Sequence, residues 1–310
     1  MDYIIYFIIS LLFSLILVPK VRAFALAKGV VDKPNKRKIH QGNIARLGGV
    51  AVFLAFWLVI ISVSIFNREL LNFSGNKFLA VDYNLWAIFI GSTIMLLLGI
   101  IDDIRGVRST TKLLWHFIAG FIVVGLGIKI WWVHSPFGGF LTIDNWSYLL
   151  VPLWVVLMIN VMNWWDGVDG QASGIGVIAS IVIFILSISK FVDQPSSAII
   201  MIILAGSLLG FLCYNFNPAS IFLGDSGSQF IGFMLAIGAI VSGAKIATAS
   251  LVLGFPILDA MWLISALFGT IALLTLGRAE LKLLSLIWLF FVMIVAGIIL
   301  SLKAKQYGRK

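Results

Sequence analysis

Asn160, Asn163, Asp166 and Asp169, with Gly167 and Gly170 among them, lie between two apolar runs, 148–159 and 175–188, in a chain that is only 11% charged. Acidic side chains at the edge of hydrocarbon are costly, and a functional site is the usual reason for keeping them. Each of the four polar residues lies one helical turn from the next, so successive members are neighbours and all four can share a face. The glycines suit a loosened backbone that lets a ligand come close. Two more acidic stretches end other apolar runs: Asp102 and Asp103 with Lys112 beyond them, and Asp225 inside the string Gly224, Asp225, Ser226, Gly227. These oxygen donors carry no clustered His or Cys, which suits a hard cation, Mg²⁺ or Mn²⁺, better than zinc. Magnesium takes one or two protein oxygens and fills its shell with water and substrate phosphate. Lys112 and the Gly224–Gly227 turn are the candidate phosphate contacts. The chemistry this predicts is metal-assisted phosphoryl transfer. Each cluster alone reads equally well as a helix cap, a solvated turn or an orientation marker; the combination carries the signal.

The elements that hold these residues are membrane spans. The chain has 310 residues, is 61% hydrophobic and has a mean hydropathy of +1.09. A span needs about 20 mainly apolar residues. Such runs occur at 3–18, 47–66, 84–101, 113–128, 146–159, 175–189, 197–214, 230–241, 250–276 and 283–302. The expected fold is all-α, a polytopic membrane helix bundle of about 10–11 transmembrane helices, forming one domain over 1–310. The first run lacks a basic leader and a small-residue cleavage site, so it reads as a retained span. The single cysteine, Cys213, rules out an intramolecular disulfide framework and a CxxC metal site.

The connection 19–46 carries Lys20, Arg22, Lys28, Lys33, Lys36, Arg37, Lys38 and Arg46 against one acid, Asp32. Such a loop belongs on the cytoplasmic side and puts the N-terminus outside. It is also suited to lipid headgroups or phosphate. The first, third, fifth and seventh spans then all end on the cytoplasmic face, which brings every acidic cluster and the basic loop together there. The net charge of +9 is explained by this topology and calls for no nucleic acid.

Four stretches carry a resemblance in order. They are Asp32-Lys-Pro with His40 and Arg46-Leu-Gly-Gly; Asp102-Asp103 with Lys112; Asn160-x-x-Asn163-x-x-Asp166-Gly-x-Asp169-Gly; and Phe222-Leu-Gly-Asp-Ser-Gly-Ser. The chain resembles the polyprenyl-phosphate N-acetylhexosamine-1-phosphate transferases, the superfamily that includes the phospho-N-acetylmuramoyl-pentapeptide transferases. Its nearest likeness is to the branch using UDP-N-acetylhexosamines such as UDP-GlcNAc with undecaprenyl phosphate. The resemblance implies a multi-pass enzyme of the bacterial inner membrane, a homodimer among its expected assemblies, serving cell-wall or surface-polysaccharide synthesis. It implies transfer of a sugar 1-phosphate to the lipid phosphate with release of UMP. On these positions it implies Asn163 and Asp225 as Mg²⁺ contacts. Asp102 and Asp103 become the paired aspartates at the reaction centre, with Asp166 and Asp169 lining the cleft. Lys112, Asn160, Arg46 and His40 are implied as substrate-binding residues. A phosphate monoester is mostly dianionic at neutral pH, so the acceptor hardly needs a base, and positioning with charge neutralisation should dominate. Direct attack on the β-phosphorus is the preferred route; a covalent Asp intermediate stays open.

The chain also departs from the family. After Pro256 and Asp259 members normally have paired arginines and a long cytoplasmic loop with a histidine cluster. Here an apolar run follows, and the chain's only histidines are His40, His116 and His134. The run 250–276 is short of the roughly 40 residues two spans would need. A cytoplasmic segment after about Trp262 is therefore expected to be missing relative to the family. That loss keeps a second reading, a weak or inactive relative acting as a membrane scaffold, beside the active transferase. A transporter fits less well, because its coupling sites lie near the bilayer midplane.

Overall fold

The structure is a computed structural model that describes residues 2–242 apart from 33–41, 74–75, 80, 135–139, 144 and 191. The chain divides into two compact units, Met1–Val252 and Leu253–Lys310, and every element described belongs to the first. The predicted spans at 250–276 and 283–302, the Pro256–Asp259 departure and His40 lie outside the described residues.

The described residues form eight α-helices: α1 (Asp2–Ala27), α2 (Gly48–Phe66), α3 (Tyr83–Arg105), α4 (Ser109–Gly125), α5 (Ser147–Trp165), α6 (Gln171–Ser187), α7 (Pro195–Asn215) and α8 (Gly224–Val241). Three two-stranded antiparallel pairs join them: β1 (Val31–Asp32) with β2 (Ile44–Ala45), β3 (Lys77–Phe78) with β4 (Val81–Asp82), and β5 (Trp132–His134) with β6 (Phe140–Thr142). Six helices, all but α4 and α6, are long and apolar enough to cross a membrane. Each of the first eight predicted spans overlaps one helix, so this is a multi-pass membrane protein.

Helix α7, and α8 beyond its polar first turns, are apolar all round and largely buried among the described residues, as such helices must be; in each, 83% of the most apolar window is buried. On α8, Phe230 meets Phe53 and Phe56 of α2 edge-to-face at centroid distances of 5.4 and 5.9 Å. Lipid tails are as apolar as leucine, so close packing rather than hydrophobic exclusion joins such helices. Small residues permit it here: Gly206 of α7 rests on Ser10 and the Phe7 carbonyl of α1, and Gly120 of α4 rests on Pro152 of α5.

Two predicted boundaries move. α1 does not stop at Val18 but runs through Pro19 to Ala27. Proline brings no N–H, which orphans the carbonyl one turn back. The Tyr214 hydroxyl of α7 donates to that carbonyl, Leu15 O, at 3.1 Å, so the helix passes the proline without an unpaired acceptor there. α8 begins at Gly224, well before the predicted 230. The glycine string read as a turn is its first turn, and its cap comes from another helix.

Candidate active site

α3, α5 and the segment before α8 end close together, so the three acidic clusters converge as the alternation of spans predicts. The anchor is backbone. Phe222 N–H donates to Ala45 O at 2.9 Å, Gly48 N–H to Phe222 O at 3.0 Å and Gly49 N–H to Leu223 O at 2.9 Å. These bonds fasten the start of α2 to the start of α8. A Cβ on Gly49 would strike the Gly227 backbone, and one on Gly99 the Ser226 backbone, so α2 and α3 both touch α8 main chain to main chain.

The first amides of α8 point at carboxylates. Asp225 N–H donates to Asp103 Oδ1 at 2.9 Å and Ser226 N–H to Asp103 Oδ2 at 3.1 Å. The Gly224 backbone amide lies close enough to Asp166 to favour its charged form. A helix N-terminus attracts anions through its unpaired amides and dipole, and here the protein supplies the anions itself. Two amides of the Gly224–Gly227 string, expected to contact phosphate, are thus bonded to Asp103 in this structure. Gly224 has φ +73°, and a Cβ there would meet the Asp103 carboxylate, so only glycine lets Asp103 cap the helix.

Asp102, by contrast, faces a cation. Its Oδ1 accepts the Val107 N–H at 2.6 Å, and its Oδ2 lies 2.7 Å from Lys112 Nζ. The same Nζ lies 3.4 Å from Asp225 Oδ2. The Asn163 side-chain amide donates to Asp225 Oδ1 at 2.7 Å and to Ser228 Oγ at 3.0 Å. Lys112 thus links two carboxylates from different helices, while α5 holds the second oxygen of Asp225. Three-tenths of the Asp225 side chain remains exposed.

Asp166 stands just past the end of α5. Burial first, then the nearby Asp103 and Asp225 charges, pushes its carboxyl well above the usual carboxylate range; Arg46 and the Gly224 N–H oppose the rise. Arg46 follows β2 and pairs with Asp32 of β1, Nη2 to Oδ1 at 2.8 Å, within electrostatic reach of Asp103 and Asp166.

Two predicted site residues have hydrogen-bond partners of their own outside this cluster. α5 ends at Trp165 and Gly170 takes φ +73°, so Asp169 does not continue the face of Asn160 and Asn163. Instead Asp169 Oδ2 accepts from Ala219 N at 3.0 Å and Asn217 Nδ2 at 3.1 Å, bracing the loop after α7. Asn160 donates to the Val156 carbonyl of its own helix at 2.7 Å.

Several contributors escaped the sequence reading. Asn215 ties the turn together, accepting from Ser173 Oγ at 2.8 Å and Gly170 N at 3.2 Å and donating to Ile221 O at 3.0 Å. His116 and Gln229 sit one turn below Lys112 and Asp225, with His116 Nε2 and Gln229 Oε1 3.4 Å apart. A polar residue one turn after each site residue is the only signal that could have found them.

Asp102, Asp225 and Asn163 form an all-oxygen donor set suited to a hard cation. Among the described residues no three or more His, Cys, Asp or Glu are grouped to hold a metal ion. A magnesium ion takes one or two carboxylates and draws its remaining ligands from water and phosphate. The partly exposed Asp225 is the carboxylate such an ion could reach.

The sequence pattern of glycosyl transferase family 4 matches residues 85–243. The chain is 33% identical over 262 residues to a protein of Bacillus subtilis named probable undecaprenyl-phosphate N-acetylglucosaminyl 1-phosphate transferase, covering 82% of this chain and 68% of that one. It is 32% identical over 235 residues to the decaprenyl-phosphate N-acetylglucosaminephosphotransferase of Mycolicibacterium smegmatis, covering 73% and 56%. It is 28% identical over 258 residues to the phospho-N-acetylmuramoyl-pentapeptide-transferase of Bacillus velezensis, covering 77% and 74%. The chain therefore spans little more than half of the mycobacterial relative's length.

Proposed function

Because the chain belongs to glycosyl transferase family 4, we propose that it transfers N-acetylhexosamine 1-phosphate from a UDP-sugar to a polyprenyl phosphate and releases UMP. The observation that carries this reading is the Lys112 bridge, 2.7 Å from Asp102 and 3.4 Å from Asp225, with Asn163 holding the far oxygen of Asp225. An ammonium shared between two carboxylates is suited to exchange one of them for an arriving phosphate. The lipid phosphate is already mostly dianionic at neutral pH. Its oxygen forms the new bond to the β-phosphorus, and the bond to the UMP oxygen breaks with its electron pair leaving on UMP. No proton needs to be removed from the acceptor.

In this scheme Lys112 steadies phosphate charge, Asp103 holds Asp225 in place through the α8 amides, and Arg46 adds positive charge beside Asp166. A magnesium ion at Asp225, with the Asn163 carboxamide turned to present its oxygen, would neutralise the donor pyrophosphate. Preorganised charges of this kind supply most of the acceleration in phosphoryl transfer. Undecaprenyl phosphate follows from the relatives' names and the cytoplasmic face of the membrane from the basic 19–46 connection; the homodimer rests on the family resemblance alone.

The test is UMP release by the purified protein from UDP-N-acetylglucosamine, with and without undecaprenyl phosphate. Release should need the lipid, stop with chelator and vanish in Asp225→Asn. Absence of lipid-dependent release from every UDP-N-acetylhexosamine tried would refute the proposal.

A further inference from the structure

A groove of about 680 Å³ runs between α1, α2 and α3, with no residue of α8 lining it. Leu17, Val21 and Phe24 of α1 form one wall, Ile100 and Ile104 of α3 the other, and Leu47, Val50 and Leu54 the floor. Its polarity is graded along the helices. Leu17, Leu54 and Ile100 lie at the deep end, while Leu47 and Ile104 lie near the helix ends that carry the acidic cluster. Lys20 and Lys28 line the same groove and are exposed. Lys20 lies one turn before Phe24 on α1, and Lys28 lies just past the helix end with its N–H still bonded to Phe24 O at 2.9 Å, which sets both lysines along one side of α1. Among the described residues neither lysine has a carboxylate partner.

An apolar slot in the hydrocarbon with one lysine along its wall and a second at its shallow end has the shape and charge of one amphiphile, a hydrocarbon chain under an anionic head. We propose that this groove holds an anionic glycerophospholipid of the surrounding bilayer, its phosphodiester between Lys20 and Lys28 and one acyl chain along Val50 and Leu54. Basic pockets between transmembrane helices bind such headgroups. Gly49 lies on Gly227 and Gly99 on Ser226, backbone against backbone, so α2 and α3 stand between the groove and α8 at these two points. None of Asp102, Lys112 and Asp225 lines the groove, which sets its occupant apart from the acceptor lipid phosphate.

The experiment is native mass spectrometry of the full chain in mild detergent, titrated separately with phosphatidylglycerol, phosphatidylcholine and undecaprenyl phosphate. Its readout is independent of transferase activity, so it stands or falls apart from the proposed reaction. Phosphatidylglycerol should be retained over phosphatidylcholine, and Lys20→Gln with Lys28→Gln should weaken it about thirty-fold, the worth of two lysines at an anionic surface. Val50→Trp, which fills the floor, should abolish retention while undecaprenyl phosphate binding survives. Equal retention of both phospholipids, or no change in either variant, overturns the proposal. Loss of undecaprenyl phosphate in Val50→Trp also overturns it, because the groove would then serve the acceptor.

Discussion

The backbone N–H of Asp225 donates to Asp103 Oδ1 at 2.9 Å, and the next amide, Ser226, to Asp103 Oδ2 at 3.1 Å. One member of the aspartate pair is therefore the external cap of the helix that carries the candidate metal residue. Asp103→Asn removes one of two acceptors at a site partly closed to water. It should cost about 1–3 kcal/mol of stability, the usual price of an unsatisfied donor, together with activity. Asp102→Asn keeps an acceptor for Val107 and should lose activity at smaller cost to the fold. Thermal melts in detergent beside turnover separate the two; equal melting temperatures would remove the capping role.

Lys112→Gln leaves Asp102 and Asp225 facing each other without their shared cation. If the bridge handles phosphate, kcat/KM should fall by an amount equivalent to about 2–5 kcal/mol, as for other truncated buried charge partners. The fold should persist, since 22% of the lysine side chain is exposed. Unchanged kinetics would leave Lys112 as a topological charge only.

Asp166 is held above the usual carboxylate range by burial and by Asp103 and Asp225. The folded state thus keeps a proton that the unfolded chain releases near pH 4. Between that pH and the raised value the folded protein binds more protons, so stability falls as pH rises. In metal-free buffer Asp166→Asn should flatten this decline and melt higher than wild type at neutral pH. At acid pH, where Asp166 is protonated in both states, the advantage should disappear. Parallel pH–stability curves for the two proteins would contradict the assignment.

Tyr214→Phe removes the donor to Leu15 O, the acceptor that Pro19 orphans inside α1. The loss should be about 1–3 kcal/mol, and Pro19→Ala in the same background should restore much of it by returning an N–H to the ladder. A double-mutant cycle reads the coupling; simple additivity would mean that another group satisfies the carbonyl.

Much of the architecture was legible in one dimension. A span is set by the length of an apolar run against the thickness of hydrocarbon, a property of composition along the chain, so eight helices fell where those runs lie. The alternation of spans likewise placed Asp102, Asp103, Asp166 and Asp225 at one end of the bundle, and the motif order pointed to the family that matches residues 85–243. What each carboxylate does was decided only by tertiary structure. Asp103 and Asp102 are adjacent in sequence, yet one caps α8 and the other meets Lys112, because neighbours on a helix point about 100° apart and face different helices. Asp169 left the predicted face because α5 stops at Trp165, and Pro19 failed to stop α1 because a hydroxyl on α7 repairs the missing bond. Which helix brings the compensating partner, and from what direction, depends on close approach between segments far apart in the chain. Composition and local spacing carry no record of it.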